Sequence, residues 1–272
     1  MKEFEIETFL TSDFIYIPYL SKENINLKND GYVFKNDMIS ENYYSPVSGK
    51  AIGLTEIYGI GGVKKTVIIE NDFRDKIEKK KICIEDLYSL DKEIIKNIVN
   101  KYVDNNSLNV YIKYEDKYDL RDMSILKDNV SMILETLNII DSAYDNLEVK
   151  IILNKKDLAS YQVLFTYIGT YPNIRIEFNK KSDNTINLYQ VIDIYNELKN
   201  KNKRDFVYVT LIHENKFKVI KLKKYSNLKD LLEHTQVMSN NFTINSTIKI
   251  QNANFLLDDS VSTIKIEIWQ KI

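Results

Sequence analysis

Hydrophobic positions change their spacing twice along the chain. From residue 1 to about 76 they come in short alternating or β-branched runs, such as Phe14-Ile15-Tyr16-Ile17 and Val67-Ile68-Ile69, parted by turn signals at Asn29-Asp30-Gly31, Ser45-Pro46 and Ser48-Gly49. A period of two between turn residues predicts strands, so this stretch reads as a small all-β module. Past the charged stretch Glu78-Lys79-Lys80-Lys81, helical and strand periods alternate. Ile94, Ile95, Ile98, Val99 and Tyr102 make one helical stripe, with Ser89 as its expected cap and Asp91 and Glu93 in a first turn that suits the helix dipole. Next come a strand at 109–114, a helix on Leu126, Val130, Ile133, Leu134, Leu137 and Ile140, and a strand at 148–153. A helix at 158–168, a strand at 173–178 and a helix on Leu188, Val191, Ile192, Tyr195 and Leu198 complete the region. Strands alternating with helices of these lengths predict βαβ units around a largely parallel, Rossmann-like sheet.

The basic run from Lys199 to Arg204 reads as a solvated linker. After it the pattern predicts strands at 206–212 and 217–222, a short helix at 227–233, and closing strands near Ile248 and at 264–269. Two strands, a helix and two more strands predict a β-grasp-like unit. The expected fold class is therefore multi-module α/β, divided at 1–77, 78–200 and 201–272.

Composition narrows the function classes. Lys+Arg 38 against Asp+Glu 39 leaves a formal charge of −1, which supplies no field to gather phosphate backbones, so no nucleic-acid partner is expected. The single cysteine, Cys83, and the two histidines, His213 and His234, cannot build an internal disulfide, an iron–sulfur cluster or a four-ligand zinc site by themselves. Flanked by Ile82 and Ile84, Cys83 reads as a buried or half-buried structural thiol. Asp258-Asp259 reads as a turn. The segment MKEFEIETFL lacks the pattern of a secretory signal, and no apolar run approaches the ~20 residues that cross a bilayer, so a cytoplasmic protein is expected. Glycine is scarce, 7 in 272 residues, where average usage gives about 19. Six of the seven fall between Gly31 and Gly62, and none occurs from Val63 to Ile168.

Ile15-Tyr16-Ile17-Pro18, the stretch INLKNDGYVFKNDMI, then SPVSGKAIGL and VIIENDFRDK resemble the barrel-sandwich hybrid domain of the RnfC family. That family comprises the NADH-oxidising subunit of the Rnf electron-transport complex and soluble relatives such as the PrdC protein that accompanies proline reductase. LNVYIKYEDKYDL lies where the family, like the NADH-binding subunit of complex I, has a Rossmann-like domain. YVTLIHENKFKVIKLKKYSNLKDLLE and NANFLLDDSVSTIKIEI are similar to its soluble-ligand-binding β-grasp (SLBB) domain. The resemblance implies an N-terminal barrel-sandwich hybrid, a central Rossmann-like sheet, a C-terminal β-grasp, and a protein partner in an electron-transfer or reductase complex. Membrane association would then come only through that partner.

The family holds NADH and FMN on a glycine-rich loop, because backbone N–H groups approach a pyrophosphate only where no Cβ intervenes. The corresponding interval here, 92–108, contains no glycine. In the next segment Ile112, Lys113, Lys117 and Tyr118 replace family residues and only Glu115 matches. The ferredoxin-type cysteine repeats are absent. No catalytic residue, metal ligand or bound cofactor is therefore expected, and the leading expectation is a non-catalytic docking or assembly subunit, a degenerate paralogue of the family. The alternative is an active component that binds FMN or NADH at the carboxyl edge of the middle sheet through a helix N-terminus and Lys113, Glu115 and Lys117. That crevice would have to be free of bulky side chains such as Tyr102 and Tyr118. A lipoyl-type carrier is not expected, since no lysine lies between Asp37 and Gly49 and Lys50 belongs to the returning strand.

Overall fold

The computed structural model describes residues 6–9, 12–20, 24–27, 30–78, 81–103, 107–112, 119–145, 147–155, 157–178, 185–214, 216–239 and 241–266. By contacts the chain forms two compact units: residues 81–114 with 122–204, and residues 2–80 with 115–121 and 205–272.

In the second unit the chain begins with β1 (Ile6–Phe9), β2 (Phe14–Pro18), β3 (Tyr32–Val33), β4 (Met38–Ser40) and β5 (Tyr43–Tyr44). The long hairpin β6 (Gly49–Gly59) and β7 (Gly62–Asn71) follows. Strands β2, β7, β6 and β3 pair antiparallel in that order, while β4 and β5 form a separate hairpin. This is an open sheet, with no closed barrel among the described residues. Gly31, at φ 68°, makes the turn into β3, where the Asp30 carboxylate accepts from the Tyr32 amide at 3.0 Å. Only glycine takes that backbone region without strain.

The first unit contains α1 (Lys92–Val99), β8 (Ser107–Tyr111), α2 (Arg121–Ala143), β9 (Glu148–Leu153) and α3 (Leu158–Ile168), then β10 (Arg175–Phe178), β11 (Thr185–Ile186) and α4 (Leu188–Leu198). Its four strands are all parallel, ordered β10-β9-β8-β11. Strand order reverses between β8 and β11, as in doubly wound sheets. Leu108, Val110, Val149, Ile151 and Leu153 are buried, the near-continuous apolar pattern of a sheet covered on both sides. Helix α2 bends at Asn129, whose φ of −131° lies outside helical values and whose side-chain amide donates to the Ile125 carbonyl at 2.8 Å. A side chain that takes an i−4 carbonyl in this way disturbs the helical ladder.

Three expectations are corrected here. Ser89 does not cap α1: its hydroxyl donates to the Asp86 carbonyl at 2.7 Å within a short 3-10 turn, Leu87–Ser89. The cap is Asp91, which accepts from the Glu93 amide at 2.8 Å. Cys83 is exposed, and Ile82 beside it is 87% exposed. The run 199–204 is solvated only in part: Asn200 and Lys203 are exposed, but Lys199 and Arg204 at its ends are buried. Lys199 Nζ donates to the Glu85 carbonyl, the Ile84 amide donates to the Lys199 carbonyl at 2.9 Å, and Asn200 donates to the Ile82 carbonyl at 3.0 Å. The Arg204 guanidinium lies 4.0 Å from the centre of the Tyr189 ring and 3.3 Å from Asp193. Each cation thus has a partner, and its aliphatic stem covers apolar surface.

Back in the second unit come β12 (Phe206–His213), β13 (Lys216–Lys223), β14 (Ser226–Asn227), α5 (Leu228–His234), β15 (Phe242–Ile244), β16 (Ile248–Ile250), β17 (Leu256–Leu257) and β18 (Thr263–Ile266). The sheet order is β1-β13-β12-β18-β15-β16. A first hairpin, one helix, and a last strand lying parallel to the first at the sheet centre make this a β-grasp. The helix is capped by Asn227, which accepts from the Lys229 amide at 3.0 Å. Strand β1 joins the β13 edge in parallel, Ile6 opposite Val219. Val207, Val209, Leu211, Leu228, Leu231, Phe242 and Ile264 lie in the β-grasp core. Tyr225 and Leu256 instead pack with Ile15, Ile17, Val67 and Ile69, so the two ends of the chain share a core. Residues 267–269, expected in the last strand, lie outside the described residues.

Candidate functional site

In open parallel sheets ligands bind outside the carboxyl ends of the strands where the strand order reverses. Here that place is the carboxyl end of β8, after Ile112, beside the carboxyl end of β11, after Ile186. Lys113, Glu115 and Lys117, and Tyr118 with them, follow directly on β8 but lie outside the described residues.

Helices α3 and α4, which follow the carboxyl ends of β9 and β11, are capped by the chain itself. Asp157 accepts from the Ser160 amide at 3.0 Å at the start of α3 and is buried. Asn187 accepts from the Gln190 amide at 3.0 Å at the start of α4, while the Gln190 side chain accepts from the Asn187 amide at 2.9 Å, a complete capping box. At the start of α2, Asp119 accepts from the Arg121 amide at 3.0 Å. An N-terminus draws anions through free N–H groups and the positive end of its dipole. A carboxylate cap spends one N–H group and places a negative charge where a phosphate would stand.

The first half of the interval 92–108, where the glycine-rich loop of the resemblance would lie, is helix α1. Tyr102, just beyond that helix, is half-buried, and burial together with Glu197 and Asp193 pushes its phenol up to about 12. Lys101 pairs with the same Glu197. Tyr102 thus packs against α4 as a neutral, hydrogen-bonded ring.

A second cluster lies in the other unit. Lys35 Nζ stands 2.8 Å from Asp75 and 2.5 Å from Asp205, and Lys223 Nζ stands 2.9 Å and 2.7 Å from the same two carboxylates. Burial alone would lower Lys35, yet Asp205 and Asp75 hold it well above the ordinary lysine value. Burial alone would raise Asp205, yet Lys223 and Lys35 hold it below the ordinary aspartate value, and Asp75 behaves likewise. Sequence reasoning missed this cluster, since its members come from both ends of the chain. Nearby, Asp72 accepts from Tyr32 Oη at 2.5 Å and Ser48 Oγ at 2.6 Å, fixing the bend at 46–48. These are closed sets of charges and hydrogen bonds that hold loops together.

The remaining candidates resolve locally. His234 Nε2 stands 2.7 Å from Glu7 Oε1, and Asp258 accepts from the Ser260 amide at 2.9 Å in the expected turn. Lys50 lies on β6 opposite Tyr32 and Glu70. Among the described residues no group of three or more His, Cys, Asp or Glu stands where it could hold a metal ion, and no helix is long and apolar enough to cross a membrane. An open cleft of about 400 Å³ at Leu147, Glu148, Pro172, Asn173 and Arg175 lies at the amino ends of β9 and β10, away from the carboxyl edge of the parallel sheet, and the other unit has an open cleft of about 360 Å³ at Asn26, Leu27, Tyr32, Val33, Asp37 and Met38.

No protein-family model and no curated protein matches the chain. Among solved structures the chain is similar to a chain of an NAD+-reducing NiFe hydrogenase in its H2-reduced state. The TM-score is 0.46 and the identity 8%, over 67% of this chain and 48% of that one. The chain therefore spans about half the length of that neighbour.

Proposed function

We propose that the chain is an RnfC-like protein whose central layer no longer binds a dinucleotide and which serves as a docking or assembly subunit for a protein partner in a reductase or electron-transfer system, a PrdC-like role among them. The observation that carries this reading is the carboxyl edge of the parallel sheet, where the chain's own side chains cap α3 and α4, Asp157 accepting from one first-turn amide and the Asn187–Gln190 box from another. Helix α1 in the glycine-free interval 92–108 adds to it. Each cap takes one first-turn N–H group away from an anion at this edge, where the resembling family seats diphosphate. The order of a β module, a parallel layer and a β-grasp along the chain supports the family assignment, and a cytoplasmic location follows from it.

The test is calorimetric titration of the full chain with NADH and FMN, together with recovery of the protein from its native host and a visible spectrum of what comes with it. The expected outcome is no micromolar binding of either cofactor and a redox chromophore residing in the associated protein. A flavin spectrum in the purified chain, or micromolar NADH binding, overturns the reading.

One observation favours the alternative of an active NADH- or FMN-binding oxidoreductase component. The carboxyl end of β8 adjoins β11 at the reversal of strand order, and in the sequence Lys113, Glu115 and Lys117 come directly after it. If they bind cofactor, Lys113→Ala with Lys117→Ala abolishes the NADH binding that the titration would then detect.

A further inference from the structure

Helix α3, Leu-Ala-Ser-Tyr-Gln-Val-Leu-Phe-Thr-Tyr-Ile, contains no charged residue. Only Ser160 and Leu164 of its eleven residues are buried, whereas α4, of equal length, buries seven. Leu158 and Phe165 are each 65% exposed. A helix on the surface of a lone domain carries charge on its outer face, and a charge-free apolar face with aromatics marks an interface. The apolar surface extends onto β10. Tyr161 lies with its ring 5.7 Å from Phe165 and 5.4 Å from Phe178, which is itself exposed.

Strand β10 is an edge: among the described residues it pairs with β9 on one side only. Unpaired edges are templates for a further strand. Its side chains alternate. Ile176 and Phe178 share the face that Tyr161 covers, while Arg175 and Glu177 share the opposite one. There Arg175 pairs with Glu148 at 2.8 Å and Glu177 with Lys150 at 3.1 Å.

We propose that this edge joins a second copy of the same chain, β10 against β10 in antiparallel pairing about a two-fold axis at Ile176. In that register Arg175 faces Glu177 of the copy, and Glu177 faces its Arg175, so the strand is complementary to itself in charge. A two-fold axis through an antiparallel pair keeps both copies of α3 on one side of the extended sheet, which brings the two uncharged helix faces toward each other. Isologous pairing of this kind is the commonest route to a dimer. A foreign partner would not require opposite charges spaced symmetrically about one residue. This inference is independent of the docking role proposed above.

Charge reversal tests it by complementation. The full chain is expected to sediment as a dimer at micromolar concentration. Arg175→Glu alone and Glu177→Arg alone each set like charges opposite one another twice, and each should weaken dimerisation at least about tenfold. An equal mixture of the two variants should regain the dimer, because the reversed charge of one then meets the reversed charge of the other. Far-ultraviolet circular dichroism of each variant establishes that it is folded. A monomeric parent chain, single variants that dimerise as the parent does, or a mixture of folded variants that stays monomeric overturns the proposal.

Discussion

At Gly49 there is no room for a side chain: a Cβ would stand 2.0 Å from the Glu70 carbonyl oxygen and 3.2 Å from Asn71 Cα. Gly53, four residues along the same strand, has nothing within 4 Å. Gly49→Ala should therefore force β6 and β7 apart and cost about 1–3 kcal/mol or more, while Gly53→Ala, checked in the same urea titration, should stay within about 0.5 kcal/mol of the parent. The sequence marks Gly49 as a turn residue, but the backbone approach that makes glycine necessary there is tertiary. Cys83 carries the same lesson. Two isoleucines beside it suggest burial, yet 81–85 is held by hydrogen bonds from 199–200 and leaves Ile82 and Cys83 in solvent.

Among the elements, the helices were legible because apolar spacing is local, although the one cap read from the sequence, Ser89, proved to be Asp91. Helices α3 and α4 begin and end where periodicity places them, and Asn187 with Gln190 three residues later is a signature readable from sequence. Asn187→Ala should remove the bond from the Gln190 amide to the Asn187 side chain, leave the Gln190 side chain on the backbone amide of residue 187, and destabilise the protein by about 1 kcal/mol, a shift in the urea midpoint that Gln190→Ala should match only in part. The short strands β1, β15 and β17, of two to four residues, were not legible. Their partners lie far along the chain, as when Ile6 pairs with Val219. Nor did propensity locate the start of α2, which gains a first turn from Arg121 and a bend at Asn129 where a side chain competes for a backbone carbonyl.

On the scale of the molecule, residues 2–80 and 205–272 form one unit around a shared core. The alternating ring of Lys35, Asp75, Lys223 and Asp205 ties these two ends together. Because the folded state holds Asp75 and Asp205 below their ordinary values, their contribution is fully present above the unfolded aspartate range. It is lost as pH falls through the depressed folded values, since protonation then favours the unfolded chain. Urea unfolding between neutral pH and the acid side of the aspartate range should follow that decline. Asp205→Ala should lower stability by about 2 kcal/mol at neutral pH, the partial exposure of the ring reducing the cost of breaking a buried pair. The same variant should flatten the acid dependence.

The sequence by itself determined the class of this protein: β-rich ends, a central alternation of strands and helices, and a shortage of glycine and cysteine that weighs against phosphate loops and metal clusters. These follow from periodicity and composition, which are local or additive. Tertiary structure alone decided which ends share a core, which carboxylates meet which lysines, that Lys199 and Arg204 are buried, and that α3 turns an uncharged face outward. Each depends on residues distant in sequence meeting in space, and no local pattern records such a meeting.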